Sequence, residues 1–125
     1  MTAARDPLAV REEVRASALA LPGAGEEFPW GESVVKAAKK VFVFLGVGDG
    51  SHPPRIGVKL KDPEVHEHAL SGPGAEPSGY GLGRAGWVSV PLAGGAPAAD
   101  VLCEWVEESY RVIAPKRLIA ELDAR

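Results

Sequence analysis

Residues 98–113 constrain this chain more than any other stretch. Ala98, Val101, Leu102, Trp105, Ser109, Val112 and Ile113 recur at i, i+3, i+4, i+7 spacing, while Asp100, Glu104, Glu107, Glu108 and Arg111 fall on the opposite side. The pattern predicts a long helix with one apolar and one mostly acidic face. An apolar helix face must bury itself against a second layer, and other segments have the period of a sheet. VFVFLGV, residues 41–47, is β-branched and aromatic and reads as a central strand. Residues 55–61 alternate: Ile56, Val58 and Leu60 point one way, Arg55, Lys59 and Lys61 the other.

The remaining elements follow from punctuation. Asp6-Pro7 opens a helix through Val10, Val14, Ala18 and Leu21, which Pro22-Gly23 ends; Arg11, Glu12, Glu13 and Arg15 read as its wet side. Residues 33–37 form a strand, and Asp62-Pro63-Glu64 starts a short helix to Leu70. Residues 71–83 (SGPGAEPSGYGLG) read as a long loop. In the strand 87–92, Val88, Val90 and Leu92 share a face and Trp87 and Ser89 the other; Pro115 breaks the last helix before 118–122. With no internal repeat or composition break, residues 1–125 read as one α+β domain. The expected architecture has two layers, an antiparallel sheet of about five strands packed against N- and C-terminal helices.

Charge is uneven. Net charge is −3, but residues 36–61 carry Lys36, Lys39, Lys40, Arg55, Lys59 and Lys61 against Asp49 alone. The first ten residues lack a secretory apolar region, and no run approaches the ~20 apolar residues that span a bilayer. The single cysteine, Cys103, has no partner for an internal disulfide. These features lead to the expectation of a cytoplasmic protein that does not engage membranes.

Catalytic patterns find little support. His66 and His68 are two apart on a predicted helix and do not face one ion together. Cys103 lacks a base or an electropositive setting in its sequence neighbourhood. Residues 81–88 (GLGRAGWV) match the letters of GxGxxG, but a loop precedes them and a strand follows, so they read as a glycine-rich strand entry. Glu26 and Glu27 form a tight acidic pair that reads as a solvated loop; Ser109 has no His near it. The expectation is a non-enzyme with no metal and no cofactor. The basic group remains, with Arg55, Lys59 and Lys61 on one strand face and Lys36, Lys39 and Lys40 on the adjacent hairpin. Such a face can neutralise phosphates, and Trp87 on it can stack on a base. The plainer reading is that these lysines solvate and protect a sheet.

LALPGAGEEFPWG (19–31), KVFVFL (40–45), VKLKDPE (58–64), GYGLGRAGWVSVPL (79–92) and WVEESYRVIAPKR (105–117) occur in that order. Together they resemble the MmcQ/YjbR family of small bacterial proteins, over residues 8–118. The resemblance implies an α+β fold similar to the frataxin (CyaY-like) and secretion-chaperone-like folds, and a DNA-binding label inherited from fold similarity. It implies no catalytic residues. Among the positions matching the family pattern, Lys40, Lys59, Trp87 and Lys116 are surface candidates, while Trp105 and the turn residues are structural. Ala37-Ala38 departs from a hairpin position where relatives often place glycine.

The leading expectation is weak, salt-dependent binding to DNA of unknown sequence preference. Lys36, Lys39, Lys40, Arg55, Lys59 and Lys61 would sit on phosphates, with Arg84, Trp87 and Lys116 alongside. The alternative is a protein- or peptide-binding module, self-association included. A small-ligand or enzymatic role would need a pocket around Glu26, Glu27, Trp30 and Tyr80.

Overall fold

The computed structural model describes residues 6–79, 82–93 and 96–125, with Trp30 described by its backbone alone. Each helix begins where its sequence signal lies. The Asp6 side chain accepts from the Leu8 N–H at 3.0 Å and starts α1, Pro7–Leu19. Asp62 accepts from the Glu64 N–H at 2.9 Å and starts α2, Pro63–Leu70. The periodic C-terminal segment forms α3, Ala99–Ile113; after the break at Pro115 follows α4, Lys116–Asp123.

The strands are β1 (Ala24–Glu27), β2 (Ser33–Ala37), β3 (Lys40–Gly46), β4 (Arg55–Lys59), β5 (Glu76–Pro77) and β6 (Trp87–Pro91). They form a six-stranded sheet in the order β1-β2-β3-β4-β6-β5, every described pairing antiparallel. The α+β architecture is therefore as expected. The strands without an alternation signal were β1, four residues reading AGEE, and β5, two residues in the segment read as loop. Both are edges that their neighbours recruit. Residues 38 and 39 join β2 to β3 in a two-residue turn with φ of 50° at Ala38 and 75° at Lys39. Two successive left-handed residues make the tight hairpin that glycine usually serves, here without glycine.

The core lies between sheet and helices, with Val14, Val35, Phe42, Leu45, Val58, Leu102 and Tyr110 fully or almost fully buried. β3 reaches it through two bulges. The register passes from Val34↔Phe44 to Ser33↔Gly46 and from Lys36↔Val41 to Val35↔Val43, leaving Leu45 and Phe42 without opposites on β2. Both of these extra residues are buried in the core.

Two polar side chains satisfy backbone groups around the bulges. On the basic side, pairing of β3 with β4 is registered only at Val43↔Val58 and Phe44↔Gly57. There the Ser109 hydroxyl donates to the Phe42 carbonyl at 2.5 Å and accepts from the Lys59 N–H at 2.8 Å. Tyr110 follows with a 2.7 Å donation to the Pro22 carbonyl and an edge-on contact with Phe42. At the other end, Arg11 donates from Nε to the Leu45 carbonyl at 2.8 Å and from Nη2 to the Gly46 carbonyl at 3.1 Å. Arg11 is only 9% exposed, which corrects its expected place on the wet side of α1. Periodicity placed it by charge; the carbonyls turned out by the Leu45 bulge draw it inward.

Candidate functional site

Because β3 and β4 are antiparallel, the start of β3 and the end of β4 share one end of the sheet. Lys39 and Lys40 stand at the hairpin there, and Lys59 lies opposite Trp87. Lys61 follows just beyond β4, which ends at Lys59 rather than at 61. Arg84 lies in a 3-10 turn, Leu82–Ala85, that leads into β6. Gly86 joins that turn to the strand with φ of 98°; a Cβ there would stand 3.2 Å from the Leu60 carbonyl oxygen. The chain before β1 reaches the same end, where Gly23 packs under Leu118 and so brings in the start of α4, with Lys116 and Arg117. Among the described residues, Lys39, Lys40, Lys59, Lys61, Arg84, Lys116 and Arg117 make no ion pair. Arg117 closes the motif WVEESYRVIAPKR but was not among the residues expected to bind. Acids share this end too, among them Asp62, which caps α2, and Glu108, whose carboxyl is held above its ordinary range by burial and then by the charge of Asp62.

Three expected members do not join this group as free phosphate ligands. Lys36 pairs with Glu27 at 3.4 Å. Arg55 lies at the opposite end of β4, where its guanidinium donates to Ser89 Oγ at 2.9 Å and to the Gly74 carbonyl at 2.9 Å and stands 3.7 Å from Glu76. Trp87 does lie on the sheet face away from the core, but it is 6% exposed and its ring meets Phe44 edge-on at 5.1 Å. It has no open face for a base. Alternation placed each residue on its side of the sheet; Phe44 from β3 then packed against Trp87, and Ser89, Gly74 and Glu76 engaged Arg55.

Around Arg55 the sheet face forms a cleft of about 420 Å³. Its floor is Phe44, Gly57 and Ser89; its walls include Val47, His52 and Pro53 on one side and Glu76, Ser78 and Leu82 on the other. Gly57 leaves room for the Phe44 ring, since a Cβ there would stand 3.3 Å from it and the ring would have to give by a few tenths of an ångström. This cleft is not the one expected around Glu26 and Glu27. Tyr80 and Gly81 fall outside the described residues, as does the Trp30 side chain.

The Glu26–Glu27 pair separates, because neighbours on a strand point to opposite faces. Glu26 turns toward α1, where Arg15 grips it from Nε and Nη2 and Ser33 donates to it. The hydrogen bond from Arg15 holds the Glu26 carboxyl below its ordinary range despite burial, so it stays ionised and is unsuited to shuttle protons. His66 Nδ1 lies 3.1 Å from the Leu60 carbonyl, and His68 packs edge-on against Trp105. Cys103 lines a groove between α1 and α3 with Glu13, Asp100, Glu104 and Glu107, the reverse of the electropositive setting that activates a thiol. Among the described residues no group of three or more His, Cys, Asp or Glu is placed to hold a metal ion, and no helix is long and apolar enough to cross a membrane.

The comparisons with known proteins agree with this architecture. The YjbR family model matches residues 19–112. The crystal structure of Deinococcus radiodurans protein DR2400, with domain DUF419, is similar at a TM-score of 0.70 and 26% identity, covering 94% of this chain and 91% of that one. No curated protein matches.

Proposed function

This chain belongs to the YjbR family, and on that premise we propose that it is a non-catalytic cytoplasmic protein that binds duplex DNA through the basic end of its sheet. One observation carries the reading. Lys39, Lys40, Lys59, Lys61, Arg84, Lys116 and Arg117 come from four separate stretches of sequence, converge on one end, and make no ion pair among the described residues. Acidic charge gathers instead on the helix layer, along the α1–α3 groove. Such segregation lets a chain of net charge −3 present a local positive field. The contacts are to phosphates, so binding is weak, steeply salt-dependent and indifferent to sequence. With Trp87 buried, no stacking accompanies them. The lone thiol of Cys103 fits a reducing compartment.

Fluorescence anisotropy with a labelled random-sequence duplex at two salt concentrations tests this. The wild type should bind at low salt. A Lys59→Glu/Lys61→Glu variant should lose most of that affinity, and the slope of log K against log salt should fall by about 0.9 for each phosphate contact removed. Absence of binding at low salt, or an unchanged slope in this variant and in Lys39→Glu/Lys40→Glu, sinks the reading. The alternative, a protein- or peptide-binding module, draws on the cleft in the sheet face away from the helices.

A further inference from the structure

The cleft at the other end of β4 has a chemistry of its own. Arg55 spends Nε on Ser89 and Nη2 on the carbonyls of Gly74 and Ser89, while Nη1 makes no hydrogen bond among the described residues. A guanidinium anchored through two nitrogens with the third unspent is a pre-oriented donor to a carboxylate. The floor beside it is apolar, with the Phe44 ring lying over Gly57 and Leu82 closing one side. Two carboxylates, Glu32 and Glu76, stand in the lining and oppose a second negative charge on any occupant. The volume of about 420 Å³ lies in the range of small-molecule sites.

We propose that this cleft binds a small monocarboxylate with an apolar body, its carboxylate on Nη1 of Arg55 and its body over Phe44 and Gly57. A single carboxylate takes the N–H groups of Nη1, beside the 3.7 Å ion pair that Nη2 already makes with Glu76. Phosphates and dicarboxylates are disfavoured by Glu32 and Glu76, so the site is separate in chemistry as well as place from the basic end. A free small acid and the C-terminus of a peptide present the same group.

Backbone amide NMR titration decides it, using 3-phenylpropanoate and hexanoate, their primary amides, inorganic phosphate, and a Phe-ended tripeptide with free or amidated C-terminus. The free acids should shift the amides of Gly57, Ser78 and Ser89 saturably, with the amides and phosphate about tenfold weaker or silent. Tighter binding of the tripeptide than of the free acids assigns the site to peptide ends; the reverse assigns it to small acids. Arg55→Gln should weaken carboxylate binding about tenfold. Because that change also removes contacts to Gly74 and Ser89, Glu76→Gln provides the second arm. It removes the carboxylate 3.7 Å from the guanidinium and should tighten binding several-fold. Equal binding of acids and amides, shifts confined to other regions, or an unchanged or weakened affinity in Glu76→Gln overturns the proposal. DNA binding should persist in both variants, so failure of this site and failure of the basic end are told apart.

Discussion

The two ends of the β3–β4 pair share strands and little else. At the basic end the strands part after Val43↔Val58, and a neutral hydroxyl from α3, Ser109, bridges them from the core side. The cations there carry no ion pair among the described residues. At the cleft end a buried cation from α1, Arg11, holds the turned-out carbonyls of Leu45 and Gly46, and on the opposite face Arg55 is bound into Ser89, Gly74 and Glu76. Arg55 and Lys59 thus stand four residues apart on the same face of one strand and do opposite things. One is anchored by Ser89, Gly74 and Glu76; the other makes no ion pair among the described residues. Strand alternation tells which side of a sheet a charge occupies; only the neighbours decide whether it is free.

The largest expected effect that tests this contrast is at Ser109. Ser109→Ala leaves the Phe42 carbonyl and the Lys59 N–H without their partner and should lower stability by about 2–3 kcal/mol in urea unfolding, with faster amide exchange at Lys59. A loss below about 0.5 kcal/mol would mean that β3 and β4 close without the bridge. Arg11→Met should cost about 1–2 kcal/mol, since the methylene stem still fills the site while two carbonyls lose their donor. Its exchange effects should concentrate at the cleft end; if they spread to Lys59, the two ends are one cooperative unit.

Acid titration separates the ends further. Glu26 lies below its ordinary value of 4.5, chiefly through the hydrogen bond from Arg15. Its contribution is whole above that value and is lost as pH falls through the folded one, so Glu26→Gln should flatten the acid limb of the stability curve. Glu108 lies above 4.5, by burial and then the charge of Asp62. Its cost is absent below 4.5 and complete above the folded value, so Glu108→Gln should raise stability at neutral pH and leave it unchanged in acid. The smallest effect is expected for Lys59→Ala/Lys61→Ala, within about 0.5 kcal/mol of wild type, although the same change should reduce DNA affinity. A large stability loss would place these lysines in the structure, with Arg55.

Much of the fold was legible. Helix starts at Asp6 and Asp62, the break at Pro115, the strands around 33–37, 41–46 and 55–59, and the buried face of α3 follow from local chemistry. The last strand was also placed correctly, with Val88 and Val90 in the core and Trp87 on the other face. The misses have a common cause. β1 and β5 carry no hydrophobic period; they exist because β2 and β6 offer unpaired edges. Arg11 resembles any surface cation until the bulge at Leu45 presents carbonyls to it. Ser109 and Tyr110 lie in WVEESYRVIAPKR, 105–117, which was visible as a family pattern, but their physical role was not. Ser109 bridges residues 67 positions back and 50 positions back, and no local pattern encodes such a bond.

The sequence by itself determined the fold class, the family and the concentration of positive charge in residues 36–61. Periodicity, caps and charge are properties of neighbours along the chain, and a sheet with helices on it is how these periods bury their apolar sides. Tertiary structure alone decided which of those charges are free. It bound Arg55 and Lys36, buried Trp87, brought Arg84, Lys116 and Arg117 to the hairpin end, and opened a cleft over Gly57. A charge becomes part of a site or of a scaffold through groups tens of residues away, and their proximity is set by packing rather than by order along the chain.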